Sequence, residues 1–125
     1  MKVLIIDDDS LARKILVKAL EKMGHVTIQS GNGKHAWETI YENDDIGLVV
    51  TDLMMPDMDG RELLQILRGN QAFASLPVLM VSGVVGEEAL QGVMHLGHCR
   101  FCPKPLDLES LKKKVNELLA DSEKR

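Results

Sequence analysis

The sequence predicts an α/β fold built on a parallel sheet, and three observations carry that reading. Short apolar runs alternate with segments of helical periodicity along the 125 residues. Three of the runs, Val3–Ile6, Leu48–Val50 and Val78–Val81, are apolar at every position, the pattern of strands buried on both faces rather than one. A helical segment follows each run, and a right-handed crossover of that kind returns the chain parallel to its start with the helix laid on one face of the sheet.

Taken in order, the first strand is Val3–Ile6. The helix after it carries an apolar stripe of Ala12, Ile15, Leu16, Ala19, Leu20 and Met23; Ser10 can act as its N-cap and Gly24 can end it. A second strand is expected at Val26–Ile28 and a helix over Lys34–Tyr41. The third strand, Leu48–Val50, leads to a helix over Arg61–Leu67, and the fourth, Val78–Val81, to a helix over Glu87–Leu96. The fifth strand, Arg100–Pro103, is the weakest. It precedes a helix over Asp107–Leu119 whose Leu108, Leu111, Val115, Leu118 and Leu119 share one face. Residues 1–121 make one domain, and Ser122–Arg125 reads as a frayed charged tail.

Composition narrows the function. Fifteen basic against nineteen acidic side chains leave a net charge of −4, which argues against a broad electrostatic footprint for nucleic acid or an anionic membrane. Neither a signal peptide nor a membrane span is legible, and two cysteines do not make a disulfide framework. The expectation is a soluble, reduced, cytosolic domain without membrane insertion.

In open α/β sheets ligands bind outside the carboxyl ends of the strands. Asp7, Asp8 and Asp9 follow the first strand, Asp52 the third, Ser82-Gly83 the fourth and Lys104-Pro105 the fifth. Taken singly each has a plain reading: Asp9 as a helix N-cap, Asp52 as a turn residue, Ser82 as loop, Lys104 as a solvated side chain. Together they put carboxylates, a hydroxyl and an ammonium at one sheet edge. Clustered carboxylates either take up protons or hold a cation, and an all-oxygen set with few ligands suits Mg²⁺. A Ser and a Lys opposite such an ion are what a transferring phosphoryl group needs.

These residues resemble a known family. Ile5-Ile6-Asp7-Asp8-Asp9, the D-x-x-M-P-x-M-D-G stretch from Asp52 to Gly60, Val81-Ser82-Gly83 and Lys104-Pro105 look like the receiver domain of two-component response regulators, chemotaxis-regulator-like in extent. The resemblance implies a flavodoxin-like, doubly wound five-stranded parallel sheet of order 2-1-3-4-5 flanked by five helices. It implies a phosphorelay switch rather than a turnover enzyme, one that catalyses its own phosphorylation and dephosphorylation. Asp52 would be the phosphoacceptor nucleophile. Asp7, Asp8, Asp52 and the Met54 backbone carbonyl would hold Mg²⁺, with Mn²⁺ as substitute. Lys104 and Ser82 would contact the phosphoryl oxygens, and Ser82 with Phe101 would form the switch. Pro56 and Gly60 would shape the loop after Asp52. The implied partners are a sensor histidine kinase or phosphotransfer protein and an output partner, or fused output domain, meeting the face of the fourth helix, fifth strand and fifth helix. The state would be a monomer or a phosphorylation-dependent dimer.

Departures from the family pattern lie at Gly97-His98-Cys99-Arg100, bulkier than the usual small-residue run, and at Pro103, which fits an edge strand. Met54 and Val84 occupy the positions where the family tunes the hydrolytic water. Both are apolar, which predicts slow self-dephosphorylation. His95, His98, Cys99 and Cys102 mimic a zinc cluster, but Cys99 and Cys102 are expected on different faces. His25 and His35 read as surface residues, Trp37 as packing, the methionines as core filler, and Lys112-Lys113-Lys114 as a solvated face. The alternatives are a haloacid-dehalogenase-type phosphatase, with Asp7 as nucleophile and Asp9 as acid but Leu11 where Thr or Val is wanted, and a non-switching interaction module.

Overall fold

The computed structural model describes residues 1–55, 57–83 and 95–123. Five strands form one parallel sheet: β1 (Lys2–Ile6), β2 (Val26–Ser30), β3 (Ile46–Asp52), β4 (Val78–Ser82) and β5 (Cys99–Pro103), in the order β2-β1-β3-β4-β5. The order agrees with the expectation, and each strand contains the apolar run that predicted it. Pro103 sits on an edge strand, where its missing N–H leaves no central ladder bond open.

The continuous apolar runs split between two cores by simple alternation. Leu4 and Ile6 of β1, with Val49, Val78 and Met80, face helices α2 (Gly33–Glu42) and α3 (Gly60–Arg68) through Ala36, Ile40, Leu63, Leu64 and Leu67. Val3 and Ile5, with Leu48, Val50, Leu79 and Val81, face α1 (Ser10–Lys22) and the C-terminal helix (Leu108–Glu123) through Leu16, Leu20, Leu111, Val115 and Leu118. Cys102 packs in the second core while Cys99 packs against the first, so the two thiols lie on opposite faces of the sheet. Trp37 packs against the first core and meets Phe73 edge-on with ring centroids 5.8 Å apart.

Of the two N-cap readings for α1, the structure takes Asp9: it is extended and its Oδ1 accepts Leu11 N at 2.9 Å, while Ser10 is already helical. The carboxylate wins because it also complements the positive end of the helix dipole. Against an expected five helices, four α-helices and a 3-10 turn (Gln71–Phe73) occur among the described residues. The predicted helix over Glu87–Leu96 falls mostly outside those residues, and His95 and Leu96 lie in a turn. The C-terminal helix runs to Glu123, about a turn past Leu119, and takes in the first two residues of the charged tail. Gly24, at φ +93, ends α1 as expected in the left-handed conformation that glycine adopts without strain.

Arg68, the last residue of α3, ties the connections together. Its guanidinium donates to the carbonyls of Phe73 (3.1 Å), Leu76 (2.8 Å), Gly97 (3.1 Å) and His98 (3.1 Å). One side chain thus joins the turn before β4 to the loop before β5. No helix among the described residues is long and apolar enough to cross a membrane.

Candidate phosphoacceptor site

The site lies at the carboxyl ends of β1, β3, β4 and β5. Register sets it: Ile6 pairs with Thr51 and Asp52 with Val81, so Asp7, Asp52 and Ser82 leave three adjacent strands at one level. Pro103 pairs with Ser82 and Lys104 N donates to Ser82 O at 3.0 Å, which brings Lys104 to the same edge from β5. The Lys104–Pro105 peptide is cis.

Asp7 is fully buried, Asp52 is 8% exposed and Asp8 is exposed. One oxygen from each of these carboxylates lies within 4.8 Å of the others. Lys104 Nζ stands 3.1 Å from Asp7 Oδ2 and 3.4 Å from Asp52 Oδ2. Asp52 Oδ1 accepts Met54 N at 3.2 Å, and Asp7 Oδ1 accepts Asp9 N at 2.9 Å. Burial pushes the Asp52 carboxyl above its usual range; the Lys104 charge works against this and the Asp7 charge with it. Burial alone would lower the Lys104 pKa, but its bond to Asp7 and the charges of Asp52 and Asp7 outweigh that, and the ammonium is held charged. Three carboxylates against one ammonium leave two negative charges uncompensated. An all-oxygen donor set with that deficit fits a divalent hard cation.

The loop after β3 is set by contact with the chain itself. Gly60 N donates to Leu53 O at 2.8 Å, and a Cβ on Gly60 would come within 2.9 Å of the Asp52 carbonyl oxygen. Asp59 caps α3 by accepting from Arg61 N and Glu62 N. Pro56 lies outside the described residues, as does Val84. Met54 is 56% exposed. Ser82 is buried, and Phe101 is half-buried against the core under α2 and α3. Phe101 O accepts Lys114 Nζ at 2.6 Å, so one lysine of the expected solvated face holds β5 instead; Lys112 and Lys113 are exposed. Asp9 is spent on the helix cap and does not join the three clustered carboxylates. His35 is exposed and His25 half-buried, with Nδ1 of the latter buried and unbonded.

The family model of the response regulator receiver domain matches residues 3–116. The chain belongs to that family. The receiver is 30% identical over 120 residues to a chemotaxis protein CheY homolog of Campylobacter jejuni, covering 95% of this chain and 92% of that protein. Among solved structures it is similar to a response regulator receiver protein from Pseudomonas putida, with 33% identity, a TM-score of 0.85 and coverage of 93% and 95%. It is also similar to a two-component response regulator from Clostridium difficile, with 26% identity, a TM-score of 0.85 and 96% of both chains covered. The receiver is thus a signalling module of the two-component type rather than a turnover enzyme, and its acidic pocket is the family's place for Mg²⁺.

Sequence reasoning missed Arg13. Its Nη1 donates to the Asp7 carbonyl at 2.5 Å and its Nε to Gln29 Oε1 at 3.1 Å. A signal existed: Arg13 sits one helical turn after Asp9, and helical side chains lean back toward the N-terminus, here toward the acidic loop.

Proposed function

We propose that this receiver accepts a phosphoryl group on Asp52 from a phosphohistidine of a sensor kinase or phosphotransfer protein. A carboxylate oxygen of Asp52 forms the new O–P bond as the N–P bond breaks, and the imidazole departs with the bonding pair. The observation that carries the reading is Lys104, held between Asp7 Oδ2 at 3.1 Å and Asp52 Oδ2 at 3.4 Å. Its ammonium is placed to pair with the phosphoryl oxygens, whose charge grows as the group transfers.

Asp7, Asp8, Asp52 and the Met54 backbone carbonyl are the residues that would hold Mg²⁺, or Mn²⁺ in its place. When bound, the ion supplies neutralisation of the phosphoryl oxygens and of the excess carboxylate charge. Ser82 donates its hydroxyl to the phosphoryl group and draws its loop inward. Phe101 follows, and the contacts favour one of two pre-existing arrangements of the surface around β5 and the C-terminal helix that an output partner reads. Water attacking the same phosphorus returns Asp52 to its free form, which makes the receiver its own slow phosphatase.

The phosphatase alternative needs Asp9 as a free acid, whereas its Oδ1 accepts from Leu11 N at 2.9 Å and Ala12 N at 3.5 Å. The test is intact mass after incubation with acetyl phosphate and Mg²⁺. A single phosphoryl adduct lost with EDTA and in Asp52→Asn supports the reading. An adduct that survives Asp52→Asn but disappears in Asp7→Asn overturns it.

A further inference from the structure

Asp7 is restrained at every polar atom. Its N–H donates to Ser30 O at 3.1 Å, its Oδ1 accepts Asp9 N at 2.9 Å, and its Oδ2 accepts Lys104 Nζ at 3.1 Å. Its carbonyl accepts Arg13 Nη1 at 2.5 Å. That last bond comes from α1, while Arg13 Nε is tied at 3.1 Å to Gln29 Oε1 on β2. A guanidinium is planar, so anchoring Nε and Nη1 to two partners fixes the direction of both bonds. The Asp7 carbonyl is therefore aimed by a group braced on a neighbouring strand.

That carbonyl belongs to the peptide joining Asp7 to Asp8. The unit is flat, so setting its C=O direction sets the position from which the Asp8 side chain departs. Asp8 is exposed, yet its carboxylate lies within 4.8 Å of those of Asp7 and Asp52, where like charges repel. Something has to hold it there.

We propose that Arg13 is a positioning residue for the cation site. Through its bond to Asp7 O, braced by Gln29, it orients the Asp7–Asp8 peptide so that the Asp8 carboxylate faces its two partners. The inference rests on the receiver reading above, and Arg13 itself touches neither cation nor phosphoryl group. Lysine cannot replace it, because a single ammonium keeps the charge but not the fork that spans both acceptors.

The experiment is Mn²⁺ binding to the 125-residue chain, followed by electron paramagnetic resonance of the free ion, alongside melting of the metal-free protein. Arg13→Ala is expected to weaken Mn²⁺ binding about tenfold, as the loss of an outer residue that orients a ligand does. Arg13→Lys recovers only part of this. Gln29→Ala removes the brace from an exposed position and weakens binding about two- to threefold without moving the melting temperature. The last result also decides if Arg13→Ala fails to fold, since a purely structural role would leave Mn²⁺ affinity in Gln29→Ala unchanged. Affinity within about twofold of wild type in Arg13→Ala, full recovery in Arg13→Lys, or unchanged affinity in Gln29→Ala overturns the proposal. A wild-type chain that binds no Mn²⁺ instead overturns the receiver reading and the inference with it, so the two failures are distinct.

Discussion

Lys104 and Asp7 are 97 residues apart in the chain and meet at 3.1 Å between Nζ and Oδ2. Asp7 is fully buried, so this ammonium replaces much of the solvation that water gives an exposed carboxylate. The same group also serves Asp52 at 3.4 Å. One cation shared by two carboxylates under-compensates both, and the site carries that deficit as part of its chemistry.

Lys104→Met is expected to cost about 3 kcal/mol, because it strands a buried carboxylate without its partner. The sign of the pH effect follows from the raised Lys104 pKa. Its contribution is complete below the unfolded value of 10.5 and is lost as pH rises through the higher folded value. Wild type should therefore lose stability on the alkaline side in denaturant titrations, and Lys104→Met should lack that limb.

Asp52 runs the other way. Its folded pKa lies above the ordinary 3.8, with burial the main cause. The ionised carboxylate thus costs stability above that value, and the cost vanishes as pH falls below it. Asp52→Asn without metal is expected to melt higher than wild type at about pH 7, with the difference closing near pH 3. Equal melting temperatures at neutral pH would contradict this.

Met54 stands two residues after Asp52; the residue is 56% exposed, and its side chain cannot orient a water by hydrogen bonding. The phosphoprotein is expected to decay slowly. Met54→Asn, which adds an amide there, should raise the rate at least several-fold when adduct mass is followed after removal of the donor.

Gly60→Ala would place a methyl group 2.9 Å from the Asp52 carbonyl oxygen and 3.2 Å from Leu53 Cα. Both neighbours are backbone and cannot swing away, so a loss of about 1–3 kcal/mol in urea unfolding is expected. Phosphorylation should slow as well, since the strain falls on the residue that carries the nucleophile.

Arg68→Lys retains the charge but cannot reach carbonyls in both connections that the guanidinium now joins. Hydrogen bonds from charged donors contribute roughly 1.5–3 kcal/mol each, and leaving several carbonyls unmet should cost about 3 kcal/mol. Urea midpoints with an unchanged slope would measure it.

Much of this is legible in the sequence because it depends on local signals. The apolar runs of β1, β3 and β4 are pure enough that burial on both faces was the natural reading, and residues such as Leu4 and Ile5 divide between the two cores as alternation requires. Ser10 and Asp9 both satisfy the local rule for the N-cap of α1, and only the extended backbone of Asp9 decides between them. Lys114 reads locally as one of three solvated lysines, since nothing near it in sequence reveals that β5 brings the Phe101 carbonyl within 2.6 Å. The 3-10 turn at Gln71–Phe73 left no periodic pattern, being three residues long.

The sequence by itself determined the alternation of strand and helix, the identity of the residues at the strand ends and, through the D-x-x-M-P-x-M-D-G stretch, the family. These are matters of composition and spacing, which short-range physics reads directly. Only the tertiary structure decided how those residues meet: Lys104 spanning Asp7 and Asp52, Arg13 on the Asp7 carbonyl, and Arg68 across two connections. Each joins groups distant in sequence or on different elements. Their distances follow from strand register and from the reach of long side chains, neither of which is written at any one position.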